Sequence, residues 1–428
     1  MDTTLKNCIL NNKETDIHIK DGVIVKIGKG VQSRVVDCAG LTLIPGLIDG
    51  HVHFREPGGE AKEDWLTGSR AAVKGGITTV LDMPNNDPPV IDEKSLNLKR
   101  ERAKKSVVNY GFHFGATTKN ISLIKTIKGI AGVKIYFGSS TGNLLVDDPE
   151  DIKKLFSESD KLFLIHAEDE KFIQSKTHDL KNLNDPLIHT EIRAPQAAIK
   201  AVGDILRIAE ETKARVHLCH VSTKGELDLI AEAKRNGLQI TCEVSPHHLF
   251  LNSDEYNQQG NWVKVNPPLR SEEDRRALWK GIKDKTVDTI GTDHAPHTKE
   301  EKQLAYWEAP SGVPGVETML PLLLNEVNKG KLDINRVVEL VCENPAKIFR
   351  IKNKGKVEEG YDADLTLVDL QFEKEVMNED LETKCGWTPF AGRNLVGWPV
   401  TTIVGGNIVY NSLEINEQFK GKEIDYEL

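Results

Sequence analysis

The sequence has no excess of positive charge: 56 Lys+Arg stand against 65 Asp+Glu in 428 residues, a net charge of −9. That balance lacks the electrostatic footprint of a nucleic-acid binder. No apolar run reaches the ~18 residues a membrane span needs, and the opening MDTTLKNCILNNKETD is too polar for a secretory signal. Cysteine is sparse and scattered. Cys8, Cys38, Cys219, Cys242, Cys342 and Cys385 make no C-x-x-C, which argues against a disulfide framework and for reduced core thiols in the cytoplasm. No G-x-G-x-x-G follows a strand, so a dinucleotide fold has no support. No repeat recurs at a fixed period, and no segment is of low complexity. What remains, 39% hydrophobic and 28% charged with 34 Gly and 18 Pro, suits a large buried core and excludes a disordered, collagen-like or mucin-like chain.

The length fits two or three domains, or one large barrel plus a smaller unit. Both ends read as short strands: CILNN, TDIHIKDGVIVKIG and RVVDCAGLTLIPG at the start, DADLTLVDL (362–370) and TTIVGGNIVYN (401–411) near the finish. They are expected to pair into one small β-sandwich domain, 1–48 with 346–428. Between them, 49–345 alternates apolar β-branched runs with amphipathic stretches. LIPGLIDGHVHF (43–54) precedes ITTVLDMPN (77–85), NYGFHFGA (109–116), GVKIYF (132–137), LFLIHAE (162–168), VHLCHVS (216–222), QITCEVSP (239–246) and VDTIGTDHAP (287–296). Helical stretches such as 63–76, 195–212 and 224–237 separate them. Eight such strands over about 250 residues match a (β/α)8 barrel; an open doubly wound sheet is the competing arrangement.

Chemistry-bearing residues sit at the C-terminal ends of these strands, where barrel enzymes build their sites. His51 and His53 close the first run, and strand residues two apart share a face. His166 ends the fifth strand, His220 the sixth and Asp293 the eighth. Singly, each is as well read as a satisfied structural residue. Together, four imidazoles and a carboxylate at one mouth describe a binuclear transition-metal site, suited to zinc, with iron, cobalt and manganese left open by ligand type. Two close cations need a bridging anion. The fourth strand offers only Lys134, which is either a surface or salt-bridged lysine or, desolvated, reacts with CO2 to give a carbamate.

DGHVHFREPG resembles the first dihydroorotase signature. GTDHAPHTKEEK, with Lys302 five residues after its last histidine, resembles the second. From VIVKIG to the VGG turn at 404–406 the chain is similar to the longer, type I dihydroorotases among the cyclic amidohydrolases. The resemblance implies that His51, His53, His166 and His220 bind metal and that Asp293 is both ligand and catalytic acid/base. It implies two Zn2+ per chain, bridged by hydroxide and by carboxylated Lys134. It implies substrate contacts from His53, Arg55, Asn85, His297, Asn266 in NPPLR, and Ser311 and Gly312 in PSGVPGVET, where the family more usually shows Phe-Gly-Ile-Val-Gly. A homodimer and an association with aspartate carbamoyltransferase stay open.

The expected reaction is reversible hydrolysis of dihydroorotate to N-carbamoyl-aspartate, run toward ring closure in pyrimidine synthesis. Water held by zinc has its pKa lowered to about 7, so a hydroxide is on hand near neutral pH. The substrate's single carboxylate calls for Arg55 as a bidentate clamp. An allantoinase or hydantoinase would keep the metals and act on a neutral ring; a non-catalytic relative would lack ligands that this chain has. Segment 371–383 reads as a solvated face or linker, and GSSTGN (138–143) as a loop able to close over substrate. Trp387, Phe390 and Arg393 read as packing between the small domain and the barrel.

Overall fold

The alternation at the N-terminus does form strands: β1 (Thr3–Leu10), β2 (Lys13–Lys20), β3 (Val23–Ile27), β4 (Arg34–Asp37) and β5 (Thr42–Pro45). The computed structural model describes residues 2–30, 34–138 and 144–427. Only Gly46 then separates β5 from β6 (Leu47–Val52). A Cβ at Gly46 would lie 2.3 Å from the Thr78 side chain, so the chain passes from one sheet to the next with no linker and no room for one.

Strand β6 opens a parallel eight-stranded sheet that continues through β7 (Ile77–Asp82), β8 (Asn109–Gly115), β9 (Gly132–Phe137), β10 (Leu162–Ala167), β11 (Arg215–Leu218), β12 (Ile240–Val244) and β13 (Thr289–Ile290). Every residue of β6, β7, β9 and β10 is buried, as strands covered on both faces require. The ring closes where Val52 bridges His294, the His53 N–H donating to the His294 carbonyl at 2.8 Å. Crossover helices include Trp65–Lys74, Pro195–Thr212 and Lys224–Arg235. In the last, Thr223 and Glu226 form a reciprocal capping box and Leu227, Ile230 and Ala233 are buried on one face.

The main core lies between strands and helices, with Val80, Phe112, Ile135 and Phe163 joined to Ala72, Leu96, Leu155 and Ile205. Ile48, Leu81, Leu164 and Phe349 form a separate apolar floor. Phe349 meets His113 and His217 edge-on, with centroids 5.6 and 5.7 Å away. Past this layer the barrel interior turns polar.

β14 (Leu365–Glu375), β15 (Asn394–Val404), β16 (Asn407–Asn411) and β17 (Glu414–Ile415) join the N-terminal strands in one nine-stranded mixed sheet, β5 pairing antiparallel with β14. Thr366 and Thr402 hydroxyls donate to the Gly76 and Val73 carbonyls, which docks this sheet on the first barrel helix. The barrel with a β unit built from both termini is thus the architecture expected. Two strands are shorter than expected: VHLCHVS stops at Leu218, and VDTIGTDHAP is strand only at Thr289–Ile290. The start of 371–383 is the exposed end of β14, a solvated face rather than a linker. Trp387 and Phe390 pack with Val263, Leu269 and Val313 of the barrel loops, and Arg393 donates to the Phe250 carbonyl. Of the expected closing loop only Gly138 falls among the described residues. No described helix is long and apolar enough to cross a membrane.

Candidate metal centre

Strand alternation places His51 on β6, Lys134 on β9 and His166 on β10, all pointing into the barrel and each 1% exposed. His220 and Asp293 lie beyond the ends of β11 and β13, not on them. Both take left-handed backbone, φ 35° and 48°, which turns their side chains back over the mouth. Arg55 lies past the end of β6, and φ 64° there swings it into the site.

These groups meet. Asp293 Oδ1 lies 3.3 Å from His51 Nε2 and 3.1 Å from His53 Nε2. His166 Nδ1 lies 3.0 Å from His220 Nε2. Ligand atoms of His51, His220 and Asp293 all fall within 4.8 Å of one another. Three outward nitrogens are held, His51 Nδ1 by Glu243, His166 Nε2 by Glu168 at 3.1 Å and His53 Nδ1 by Asn85 at 2.7 Å, while His220 Nδ1 has no partner among the described residues. Imidazoles oriented this way by carboxylates and amides are typical of metal ligands. Glu243 also receives His217, and Glu168 receives Arg193.

The electrostatics suit a cation. Burial pushes His53 down to about 4 and His220 well below the usual range, so both rings are neutral donors. Burial opposes protonation of His51 too, but Glu243 and Asp293 on its two nitrogens lift it to about 10. Asp293 is held well below the carboxylate range: its burial is outweighed by His51, His53 and His220. Lys134 is buried without a carboxylate partner among the described residues; its amine donates to Cys219 Sγ at 3.1 Å. The neutral rings of His53 and His220, an ionised carboxylate and a buried amine fit a bound transition metal, which would take the place of the proton on His51.

Arg55, Asn85, Asn266, Ser311 and Gly312 line the same pocket as the imidazoles, which encloses about 390 Å³ with its open mouth. Gly312, at φ 141°, approaches the Ala295 carbonyl so closely that a Cβ would lie 2.4 Å from it. His297 lies directly beside this wall. It backs Arg55, its Nε2 3.2 Å from Nη2 and 3.0 Å from the Ser311 carbonyl, while Lys62 donates to its Nδ1. Lys302 of the second signature is buried and donates to the Pro310 and Gly312 carbonyls, fixing this loop. Residues not singled out from sequence are Glu243, Glu168, Arg193 and Tyr136. The available signal was a lone acid in an apolar run, CEV and IHAE, and the period-two pair Lys134 and Tyr136.

Residues 42–409, which hold every one of these side chains, match the Amidohydrolase family. The chain belongs to that family. Among amidohydrolases it is 38% identical over 417 residues to a dihydroorotase of Methanosphaera stadtmanae, with 95% of each chain covered. It is 39% identical over 436 residues to a dihydroorotase of Pyrococcus furiosus, covering 99% and 96%. In three dimensions it is similar to the L-hydantoinase (dihydropyrimidinase) of Arthrobacter aurescens, with a TM-score of 0.92 at 30% identity over 97% of both chains. A dihydropyrimidinase from Brevibacillus agri gives the same TM-score at 26% identity, covering 99% and 98%. An amidohydrolase with these relatives is a metal-dependent hydrolase of cyclic amides.

Proposed function

We infer that this chain is a dihydroorotase, interconverting dihydroorotate and N-carbamoyl-aspartate, with 49–345 as its catalytic unit and 1–48 and 346–428 as its support. The observation that carries this reading is Arg55, a guanidinium on the wall of the pocket that also holds Asp293 and the imidazoles. A neutral hydantoin or dihydropyrimidine gives it nothing to pair with, whereas dihydroorotate brings one carboxylate. The named relatives at 38–39% identity favour the same substrate; the likeness to hydantoinases supports the wider class.

His51, His53, His166, His220 and Asp293 would hold two zinc ions, with Lys134 between them as a carbamate. When bound, the metals supply an activated water and a Lewis acid for the ring carbonyl. Asp293, kept ionised in the site, accepts the proton of the attacking water and returns it to the departing ring nitrogen. The ring C–N bond breaks as the carboxylate product forms. Arg55 and Asn85 orient the substrate acid, with His297 bracing Arg55. A cytoplasmic location, a homodimer and contact with an aspartate carbamoyltransferase belong to the same reading.

The test is loss of dihydroorotate absorbance on adding enzyme loaded with zinc in bicarbonate buffer. Turnover that vanishes in Asp293→Ala is expected. No turnover despite two bound metals per chain moves the reading to a neutral cyclic amide.

A further inference from the structure

Tyr136 is enclosed but unsatisfied. The residue is 4% exposed, and its hydroxyl has no hydrogen-bond partner among the described residues. An unpaired buried hydroxyl weakens a fold, so its retention asks for a use. Its position suggests one. In β9, residues two apart share a face, so Tyr136 points into the barrel beside Lys134, whose amine lies 5.2 Å from the ring centroid. The ring is 6.3 Å from that of His166, and Tyr136 lines the pocket together with Arg55, Asn85 and Asp293. Tyr256 and Tyr426 also have unpaired hydroxyls, but they sit beside the backbone of Leu269 and Phe112 and do not line this pocket.

A tyrosine phenol is neutral near pH 7 and so donates its hydroxyl proton. The phenol and the Arg55 guanidinium act electrostatically on each other. Both line one pocket, and a bound anion there would receive hydrogen bonds from both.

We propose that Tyr136 donates its hydroxyl to the substrate's carboxylate alongside Arg55, making it a specificity-determining residue for acidic cyclic amides. The assignment rests on the dihydroorotase reading. Donation from a neutral hydroxyl to a charged acceptor is worth about 10- to 100-fold in affinity.

The experiment compares zinc-loaded wild type with Tyr136→Phe, which removes one oxygen and keeps the ring. Calorimetry with orotate, an unreactive planar acid, should show binding weakened about 10- to 100-fold, with uracil, the same ring without the acid, unaffected. The KM for dihydroorotate should rise in parallel while kcat stays within about threefold. The Tm of the variant should match or exceed wild type, because the unpaired hydroxyl is gone. Unchanged orotate affinity, equal weakening of uracil, a fall in kcat with KM constant, or a lowered Tm each overturns the assignment. Failure of the underlying reading looks different: wild type itself would not turn over dihydroorotate or prefer orotate to uracil.

Discussion

The Asn85 amide oxygen accepts a hydrogen bond from His53 Nδ1 at 2.7 Å, and this bond turns the other ring nitrogen toward Asp293. With the proton on Nδ1, Nε2 presents its lone pair to the metal centre. Asn85 therefore serves the metal as well as the substrate. Asn85→Ala should weaken metal binding about 10- to 100-fold, measured by competition with a chromogenic chelator. Unaltered metal affinity would confine Asn85 to the substrate.

Arg55 gives the complementary outcome. Its Nε donates to the Pro296 carbonyl and its Nη2 meets His297, so the guanidinium is held in one plane. Arg55→Lys keeps the charge but loses the fork, and KM for dihydroorotate should rise about 10- to 100-fold with metal content intact. Equal KM values in the two proteins would remove the carboxylate clamp.

Lys134 supplies a third measurement. Lys134 is buried against Cys219 with no carboxylate partner among the described residues, a setting that suits a carbamate. Native mass spectrometry of zinc-loaded protein in bicarbonate should show one added CO2 per chain, lost in Lys134→Ala together with part of the metal. Full metal occupancy at an unmodified lysine would count against the carbamate.

Away from the site, Glu317 accepts the Glu382 and Thr383 N–H groups at 2.9 and 3.0 Å, with Lys74 at 3.6 Å. Burial nonetheless lifts its carboxyl from 4.5 to about 7. Between those values the folded chain holds a proton that the unfolded chain has released, so stability falls as pH rises through the window. The loss is roughly 3 kcal/mol once Glu317 is ionised. Glu317→Gln should escape it, so the variant's Tm relative to wild type should climb from about pH 5 to about pH 7. A pH-independent difference would show that Glu317 does not titrate there.

The barrel and the gathering of His51, His53, His166, His220 and Asp293 at one mouth were legible because both depend on short-range pattern. Apolar runs mark the strands, and the histidines stand at their ends. The groups that orient those histidines were not legible, because they come from across the ring. Glu243 is 192 residues from His51, and a lone acid within QITCEVSP carries no sign of which imidazole it faces. Arg55, His220 and Asp293 reach the mouth through left-handed turns at non-glycine residues, which side-chain periodicity does not encode. His297 reads as a substrate contact from its motif, and the packing adds that its ring also meets Arg55.

The bridge from Val52 to His294 that completes the ring lies between the first and the last of the metal-facing residues. His53 leaves the ribosome 240 residues ahead of Asp293. An unfinished chain therefore exposes His-x-His as a weak two-nitrogen chelate that any cellular competitor can strip. Firm capture waits until synthesis has passed residue 294 and the ring has shut.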